Sequence, residues 1–158
     1  PQLKSPFFFQ SVIFILNHNE EGAFGFIINR ELPNSVNELL ENIEWDIRLK
    51  TEKKLLWGGP VGDGSCFLLS PDSIGMQESN QETLQTLIET KQRFNMIVGY
   101  AGWSARQLET EIEEGTWVFT DISLEEMLDT PVKDRYNKAL ESLDIDIASL
   151  WNSPTFKG

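Results

Sequence analysis

The sequence predicts an α+β fold with a mixed, largely antiparallel sheet flanked by short capped helices. Two stretches of similar β-branched and aromatic composition, Ser11–His18 and Ala23–Arg30, are separated by the turn "NEEG", which is typical of an antiparallel hairpin. Strand and helix patterns then alternate irregularly, which favours α+β over a doubly wound parallel sheet. The length of 158 residues is that of one domain, so we expect residues 1–158 to form a single domain.

The element after the hairpin is predicted to be a capped helix. Pro33 closes the second strand, and Ser35 is followed by Glu38 at the spacing of a capping box, in which each side chain bonds the other residue's backbone. The apolar residues of this helix are expected to form its buried stripe: Leu39, Leu40 and Ile43.

The middle of the chain predicts two strands, a helix and a third strand. Lys53–Trp57 and Ser65–Ser70 are apolar runs on either side of the glycine-rich turn Gly58–Gly64. Residues at helical spacing follow in Asn80–Thr90, namely Leu84, Leu87 and Ile88. Arg93–Ala101 is then expected to be a central strand, because a run of consecutive apolar residues leaves neither of its faces polar.

The stretch Gly99–Trp117, "GYAGWSARQLETEIEEGTW", is interpreted as a corner between this strand and a helix. Ser104 and Gln107 have the spacing of a second capping box, with Ser104 as N-cap. Trp103 and Leu108 are then placed for a hydrophobic staple across that cap.

Glycines are expected at both ends of this corner helix for conformational reasons. Gly99 and Gly102 would let the strand turn sharply into the helix, and Gly115 would end the helix in a left-handed conformation. A short strand, Thr116–Thr120, is predicted next.

The C-terminal part predicts two more helices. Ser123 with Glu126 has the spacing of a third capping box. A last helix is predicted from Pro131 to Leu143, because proline suits a first helical turn. Its inward residues are expected to be Tyr136, Ala139, Leu140 and Leu143. Residues 144–151 are expected to be loosely ordered.

Charge and cysteine content argue against several kinds of protein. Acidic residues outnumber basic ones 25 to 13, for a net charge of −12, and Leu108–Asp129 contains no Lys or Arg. Such a surface repels phosphate backbones and anionic lipids, so we expect neither specific nucleic-acid binding nor a membrane partner. One cysteine allows no internal disulfide, and with no signal peptide visible a cytoplasmic location is favoured. The chain begins at Pro1 without a Met, which indicates that preceding residues have been removed.

Neither the single histidine nor the single cysteine predicts catalysis. His18 has no second His or Cys at zinc-ligand spacing, so we expect a strand-end residue and no metal. Cys66 precedes an apolar run and is expected to be a buried structural thiol, since reactive cysteines need an electropositive neighbourhood. A Cys66–His18 dyad would require the fold to bring the two together. We therefore assign no catalytic residue and no cofactor.

Three other patterns have a binding interpretation beside a structural one. Gly58–Gly64 joins two strands and lacks a P-loop lysine, so a tight turn is favoured over a phosphate loop. The corner Gly99–Ser104 has the strand–turn–helix order that can hold an anion, with Arg106 as its nearby cation. Acidic pairs four residues apart can hold a cation, but they more commonly form solvated faces; they are Glu109/Glu113 and Glu125/Asp129.

Three motifs together resemble the AlgH/YqgE family of bacterial proteins: the first hairpin, "WGGPV" and the Gly99–Trp117 stretch. The resemblance extends from about Phe9 to Ile145 and implies a compact α+β fold. The positions that match the family's pattern are mostly residues of turns and packing: Gly22, Gly25, Asn29, Gly58, Gly59, Pro60, Val61, Gly99, Tyr100, Gly102, Trp103, Gln107, Leu108, Glu109 and Trp117.

Two positions depart from the family's pattern. Ser70 stands where the family usually has a histidine after a Leu-Leu pair, and Arg106 stands where a glycine commonly precedes the Gln-Leu pair. Members are often labelled transcriptional regulators, whereas no biochemical activity is established for the family. The resemblance thus implies a fold more than a reaction.

We expect a non-enzymatic binding or regulatory protein that engages a protein partner or a small polar ligand. One alternative is an enzyme of unknown reaction, with an acid–base pair drawn from Asn29, Tyr100, Glu109 or Glu111. Another is a transcriptional regulator, as the family label suggests. Direct DNA binding is disfavoured by the acidic charge, and the basic cluster Arg48–Lys54 is interpreted as a solvated edge.

The ligand site is predicted as a shallow groove between the turn Gly58–Val61 and the start of the helix at Ser104. The alternative, that the same residues only pack adjoining turns together, stays open. The predicted ligand-binding residues are Asn29, Gly58, Gly59, Pro60, Tyr100, Gly102, Trp103 and Gln107.

Overall fold

The first hairpin forms two antiparallel strands, β1 (Ile13–Asn19) and β2 (Gly22–Ile27). The computed structural model describes residues 10–71, 80–143 and 153–157. Side chains of β1 alternate between two apolar clusters, with Phe14 in one and its neighbours Ile13 and Ile15 in the other. The predicted hairpin is confirmed, and both faces of the sheet are covered at this point.

Six further strands and five helices lie within the described residues. The strands are β3 (Glu31–Ser35), β4 (Lys54–Trp57), β5 (Val61–Leu69), β6 (Asn95–Ser104), β7 (Trp117–Thr120) and β8 (Ser153–Lys157). The helices are α1 (Val36–Asn42), α2 (Gln81–Glu89), α3 (Gln107–Glu113), α4 (Leu124–Leu128) and α5 (Arg135–Ser142), the last preceded by a 3-10 turn, Val132–Asp134. No helix in the described ranges is long and apolar enough to cross a membrane.

The sheet is mixed. Its strand order is β3-β4-β6-β2-β1-β8-β7, and β5 pairs with β6 outside this path. The pairs β1–β2, β2–β6, β3–β4 and β5–β6 are antiparallel, whereas β4–β6, β1–β8 and β7–β8 are parallel. The predicted α+β class is confirmed. The sequence pattern misses β8, because "SPTFK" has a proline and no apolar alternation, and the expectation for residues 144–151 lies outside the described residues.

Strand β6 is central, as predicted. Its first half lies between β4 and β5, and its second half pairs with β2 from Gly25↔Ala101 to Gly22↔Ser104. The change of partner falls at Gly99, whose φ of 78° is in the left-handed region that glycine adopts without strain. The strand therefore belongs to two differently paired parts of the sheet.

Three apolar clusters cover the sheet. The first packs β1, β2, β5 and β6 residues against α4 and α5, the second packs the opposite side of β1 and β2 against α3, and the third holds α1 and α2. Strand β6 contributes to all three clusters, through Ile97, Trp103 and Met96 respectively.

Helix α1 begins as predicted but ends earlier. The Ser35 Oγ accepts from the Glu38 backbone N–H at 3.1 Å, and the Glu38 side chain accepts from the Ser35 N–H at 3.2 Å, which completes the capping box. Leu40 is buried and Leu39 is half-buried, whereas Ile43 is 41% exposed. The prediction that Ile43 is buried is wrong, because the helix ends at Asn42 and Ile43 caps it.

The predicted N-cap at Ser104 is also wrong. Pairing with β2 keeps Ser104 in an extended strand, and the chain turns only at Ala105 and Arg106. The Ser104 N–H and Oγ both bond to the Gln107 Oε1, at 2.9 and 3.1 Å, so no Ser104 oxygen caps the helix. Gly102 is a regular strand residue, and neither it nor Gly99 makes the corner.

The turn into α3 occurs at Arg106, which has a φ of 66°. Glycine adopts this left-handed conformation without strain, whereas an arginine there is strained. This explains why glycine is common at the same position in the AlgH/YqgE pattern. At the other end, Gly115 with a φ of 79° closes the helix through bonds from Gly115 N to Ile112 O and from Thr116 N to Glu111 O. The prediction for Gly115 is confirmed.

The remaining boundaries differ in detail. Strand β5 begins at Val61, inside the predicted turn, with an irregularity in its pairing before Cys66. The Ser123 Oγ accepts from the Glu126 N–H at 3.1 Å, so Ser123 is confirmed as the N-cap, which is the serine half of the predicted capping box. In the last helix Ala139 and Leu140 are buried, whereas Tyr136 and Leu143 are only half-buried.

The caps give a direct test of these helix starts. Ser35→Ala should lower the free energy of unfolding by about 1 kcal/mol, because an orphan amide of α1 loses its acceptor. Ser104→Ala is the matched control and should have a clearly smaller effect, since Ser104 lies in β6 and caps nothing. Urea denaturation of both variants measures the difference, and equal losses would contradict the assigned helix starts.

Candidate functional site

Asn29, the first of the predicted ligand-binding residues, uses both polar atoms of its side chain in hydrogen bonds within the protein. Its Oδ1 accepts from the Val12 N–H at 2.9 Å, and its Nδ2 donates to the Gln10 carbonyl at 2.9 Å. The amide thereby fastens the segment before β1 to the segment after β2. These two hydrogen bonds to the backbone give a structural reason for the asparagine at this position of the AlgH/YqgE pattern.

The turn at Gly58 and Gly59 lies directly against β6. The Gly58 N–H donates to the Val98 carbonyl at 2.7 Å, and the Gly58 carbonyl accepts from the Ile27 N–H at 2.9 Å. A Cβ on Gly59 would lie 2.2 Å from the Tyr100 carbonyl oxygen, which is closer than any side chain permits. These glycines permit backbone contact; Pro60, next to them, is exposed.

Tyr100 and Gly102 lie on the same face of β6 but have different surroundings. The Tyr100 ring packs against Phe24 at a centroid distance of 4.4 Å and against Phe67 at 6.1 Å, so it extends the first apolar cluster. Gly102 is exposed, and a Cβ there would meet no heavy atom within 4 Å. No close approach explains the glycine at this position.

Trp103 and Gln107 meet at a third residue, Glu111, that the predicted site does not include. The Glu111 Oε1 accepts from the indole N–H groups of Trp103 and Trp117, at 2.9 and 2.8 Å. Its Oε2 accepts from the Gln107 amide at 3.1 Å. The two indole rings pack edge to face at 6.1 Å, and both tryptophans are buried. One carboxylate therefore holds α3 against β6 and β7.

The structure thus forms two separate groups from the predicted residues. Gly58 and Gly59 contact the Tyr100 backbone, while Trp103 and Gln107 bond to Glu111. The polar side-chain atoms of Asn29, Trp103 and Gln107 have partners within the protein, which supports the packing interpretation. Ligand binding along this groove stays a prediction.

His18 is a strand-end residue, as expected, and its partner is Glu109. The His18 Nε2 lies 3.0 Å from the Glu109 Oε1. This hydrogen bond lowers the pKa of Glu109, with a further contribution from its own backbone N–H. Cys66 is half-buried in β5 opposite Val98, so the expectation of a buried thiol is only partly correct.

The acidic pair on α4 holds a cation from the protein itself. The Arg93 guanidinium bonds to the Glu125 carboxylate at 3.3 Å and to the Asp129 carboxylate. Both acids therefore have a partner in the folded chain. The pair explains how the loop before β6 is tied to α4.

A cleft of about 400 Å³ opens between the β3–β4 edge and the loop that joins α4 to α5. Its floor includes Asn95, the first residue of β6. The charged residues that line it are Glu31, Glu52, Lys53, Lys54, Asp129 and Arg135. Small-molecule sites in proteins occupy volumes of this order.

Arg135 is the most unusual residue in the cleft. It is 3% exposed, and its guanidinium donates from Nε to the Thr130 carbonyl at 3.0 Å and from Nη1 to the Ile28 carbonyl at 2.7 Å. Burial lowers its pKa to about 10, and Glu31 opposes this shift. Within the described ranges no carboxylate forms an ion pair with it. A buried charge without a counter-ion is rare, because desolvation is costly.

Two neighbours share this environment. Lys53 is half-buried with its Nζ 5.4 Å from the Phe94 ring centroid, and burial together with the charge of Arg135 lowers its pKa. Asn95 is 4% exposed, and its Oδ1 has no hydrogen-bond partner among the described residues. Buried acceptors are normally bonded, so this atom is also unusual.

This cleft is not among the sites predicted from the sequence. Arg135 lies four residues before Ala139, on the inward face of α5, and a lone cation on an apolar helical face is the signal that would have found it. Lys53 and Lys54 belong to the cluster Arg48–Lys54 that is interpreted as a solvated edge; for Lys53 that interpretation is only partly correct, because the residue is half-buried.

The Glu111 hydrogen bonds can be tested by stability. Glu111→Ala leaves two buried indole N–H groups without an acceptor, which should lower the free energy of unfolding by about 1–3 kcal/mol. Glu113→Ala, an exposed glutamate on the same helix, is the control and should change it much less. Chemical denaturation followed by tryptophan fluorescence checks both, and a loss no larger than that of the control would contradict the assigned role.

The comparisons with known proteins agree with the fold. A family model described as AlgH-like matches residues 1–148. A "UPF0301 protein" from Shewanella loihica is 37% identical and covers 95% of this chain and 90% of its own length. The solution structure of the AlgH protein from Pseudomonas aeruginosa has a TM-score of 0.71 at 28% identity, over 94% of this chain and 86% of that one. A crystal structure from Corynebacterium diphtheriae, at 22% identity and a TM-score of 0.52 over 72% and 66% of the two chains, shares the fold. The chain therefore belongs to the AlgH-like family.

Proposed function

We propose that this chain is a non-enzymatic binding or regulatory protein, acting in the cytoplasm, that takes a small polar ligand in the cleft beside Arg135. The observation that carries the proposal is a buried guanidinium whose only described partners are two carbonyl oxygens. A ligand that supplied the missing acceptor would offset the cost of burying this charge. Asn95, whose buried Oδ1 also has no hydrogen-bond partner among the described residues, is one of the residues that line the same cleft.

The geometry gives less support to an enzyme. A general base needs a carboxylate that is available to a substrate, whereas the Glu111 carboxylate accepts three hydrogen bonds within the protein. Glu109 is bonded to His18, and the Asn29 amide is used on both sides. None of the acid–base candidates faces the cleft that carries the unpaired charge.

A transcriptional role does not require this chain to bind DNA. Binding to a duplex relies on many Lys and Arg contacts to phosphates, and the net charge here is −12. The cations of the cleft alternate with Glu31, Glu52 and Asp129, which would repel a polyanion. A regulatory role through a bound small molecule fits these charges better.

Native mass spectrometry of protein purified from its own host tests the proposal. We expect a bound small molecule that denaturation releases, and that Lys53→Gln and Arg135→Gln retain poorly. Arg48→Gln, an exposed arginine outside the cleft, is the matched control and should retain it. Equal retention by all three variants would place the ligand elsewhere, and no retained molecule together with no NMR shift at the cleft in host metabolite extract would contradict a small-ligand role.

A further inference from the structure

The chemistry of the cleft narrows the class of ligand, if the proposed binding function holds. Arg135 has five N–H donors, of which the Nε donor and one on Nη1 bond to carbonyl oxygens. Three donors, one on Nη1 and two on Nη2, have no partner among the described residues. Two neighbouring guanidinium donors have the fork geometry that binds a carboxylate with two parallel hydrogen bonds, and the unpartnered donors of Arg135 lie on its two Nη atoms.

Lys53 adds a second positive charge to the same cleft. Its partial burial and its proximity to Arg135 both disfavour its protonated form, and an anion between the two would reverse this effect. Lys54 is exposed at the rim. The cleft therefore favours a negatively charged group beside these cations.

The acidic residues of the cleft limit how much negative charge fits. Glu31 and Glu52 lie at the exposed rim, and Asp129 has Arg93 as its partner. With Asp129 paired to Arg93, two acids face the three cations, which leaves one positive charge in excess, so one added negative charge is better accommodated than two. A carboxylate carries one charge at neutral pH, whereas a phosphate monoester carries nearly two.

Asn95 specifies a second requirement. Its buried Oδ1 can only accept a hydrogen bond, and an ionised carboxylate group has no proton to donate to it. A ligand that satisfies both this atom and Arg135 must carry a donor close to its anionic group. Carboxylates with a neighbouring hydroxyl or amino group have this arrangement.

We propose that the cleft lined by Lys53, Asn95 and Arg135 binds a small carboxylate that bears a hydroxyl or amino group next to the carboxylate. The carboxylate bonds to the unpartnered Nη donors of the Arg135 guanidinium, and the adjacent O–H or N–H donates to the Asn95 Oδ1. The acidic rim repels polyanions and so selects for a single negative charge.

Titration of the ¹⁵N-labelled protein with matched small probes tests this assignment by NMR. Lactate has the carboxylate and the donor, acetate lacks the donor, lactamide lacks the charge, and inorganic phosphate has the wrong charge and shape. We expect lactate to shift amides around Lys53, Asn95 and Thr130, with affinity about tenfold or more above each other probe, since one good hydrogen bond changes an equilibrium by roughly that factor.

Variants of Asn95 and Lys53 test the contribution of each residue to lactate binding. Asn95→Asp places a negative charge beside the carboxylate and should abolish lactate binding, whereas Lys53→Gln should weaken it severalfold. Arg48→Gln should leave it unchanged. The dispersion of each spectrum reports folding, and Lys53→Gln keeps the test decisive if a change at Asn95 unfolds the protein.

The outcomes distinguish this inference from the proposed function. If lactamide or phosphate binds the cleft as well as lactate, the assigned ligand class is wrong while a ligand site in the cleft stands. If lactate shifts only amides outside the cleft, or binds Asn95→Asp and Lys53→Gln as well as the unaltered chain, the assignment to these residues is wrong. If no probe shifts cleft amides and no molecule is retained from the host, both proposals fail.

Discussion

Close backbone packing between the Gly58–Gly59 turn and β6 is the constraint on which the rest of the fold depends. A Cβ on Gly58 would lie 2.4 Å from the Gly99 carbonyl oxygen, and one on Gly99 would lie 2.5 Å from that of Gly59. Only glycine allows this approach. It lets Gly58 bond to both Val98 and Ile27, so that β6 can change partners without leaving buried amides unpaired. All three apolar clusters contain β6 residues, so each depends on this crossing.

The buried guanidinium on α5 is the second feature that joins distant parts of the chain. Arg135 bonds to the carbonyl of Ile28, 107 residues away, and thereby fixes α5 against the segment that follows β2. Two carbonyl bonds do not neutralise its charge, and burial lowers its pKa to about 10. The same residue therefore stabilises the fold and leaves a cation facing a cleft. This combination is why the ligand site is inferred there and not along the glycine motifs.

Local patterns could be predicted from the sequence wherever the deciding interaction is local. The caps at Ser35 and Ser123 and the glycine at position 115 depend on residues within one helical turn, and all three are confirmed. The Ser104 cap fails because a long-range interaction, the pairing of β6 with β2, keeps that residue extended. Of the charged cleft, only the inward position of Arg135 on α5 has a local signal, because Lys53, Asn95 and Arg135 lie on separate parts of the chain that only the tertiary fold brings together. The hydrogen bonds of Glu111 could not be predicted for the same reason, because they require the tertiary contact between Trp103 and Trp117.

Gly58, Gly59 and Gly99 permit the close backbone contact at which β6 changes partners, whereas Gly102 makes no such contact. Comparing the free energies of unfolding of Gly59→Ala and Gly102→Ala by urea denaturation tests this difference. Gly59 has a φ of 151° and lies against the Tyr100 backbone, so Gly59→Ala should lower the free energy of unfolding by about 3 kcal/mol or more through overpacking. Gly102 has open space around it, so Gly102→Ala should change the free energy of unfolding by no more than about 0.5 kcal/mol. Equal and small effects of the two substitutions would contradict the role of close backbone packing at Gly59.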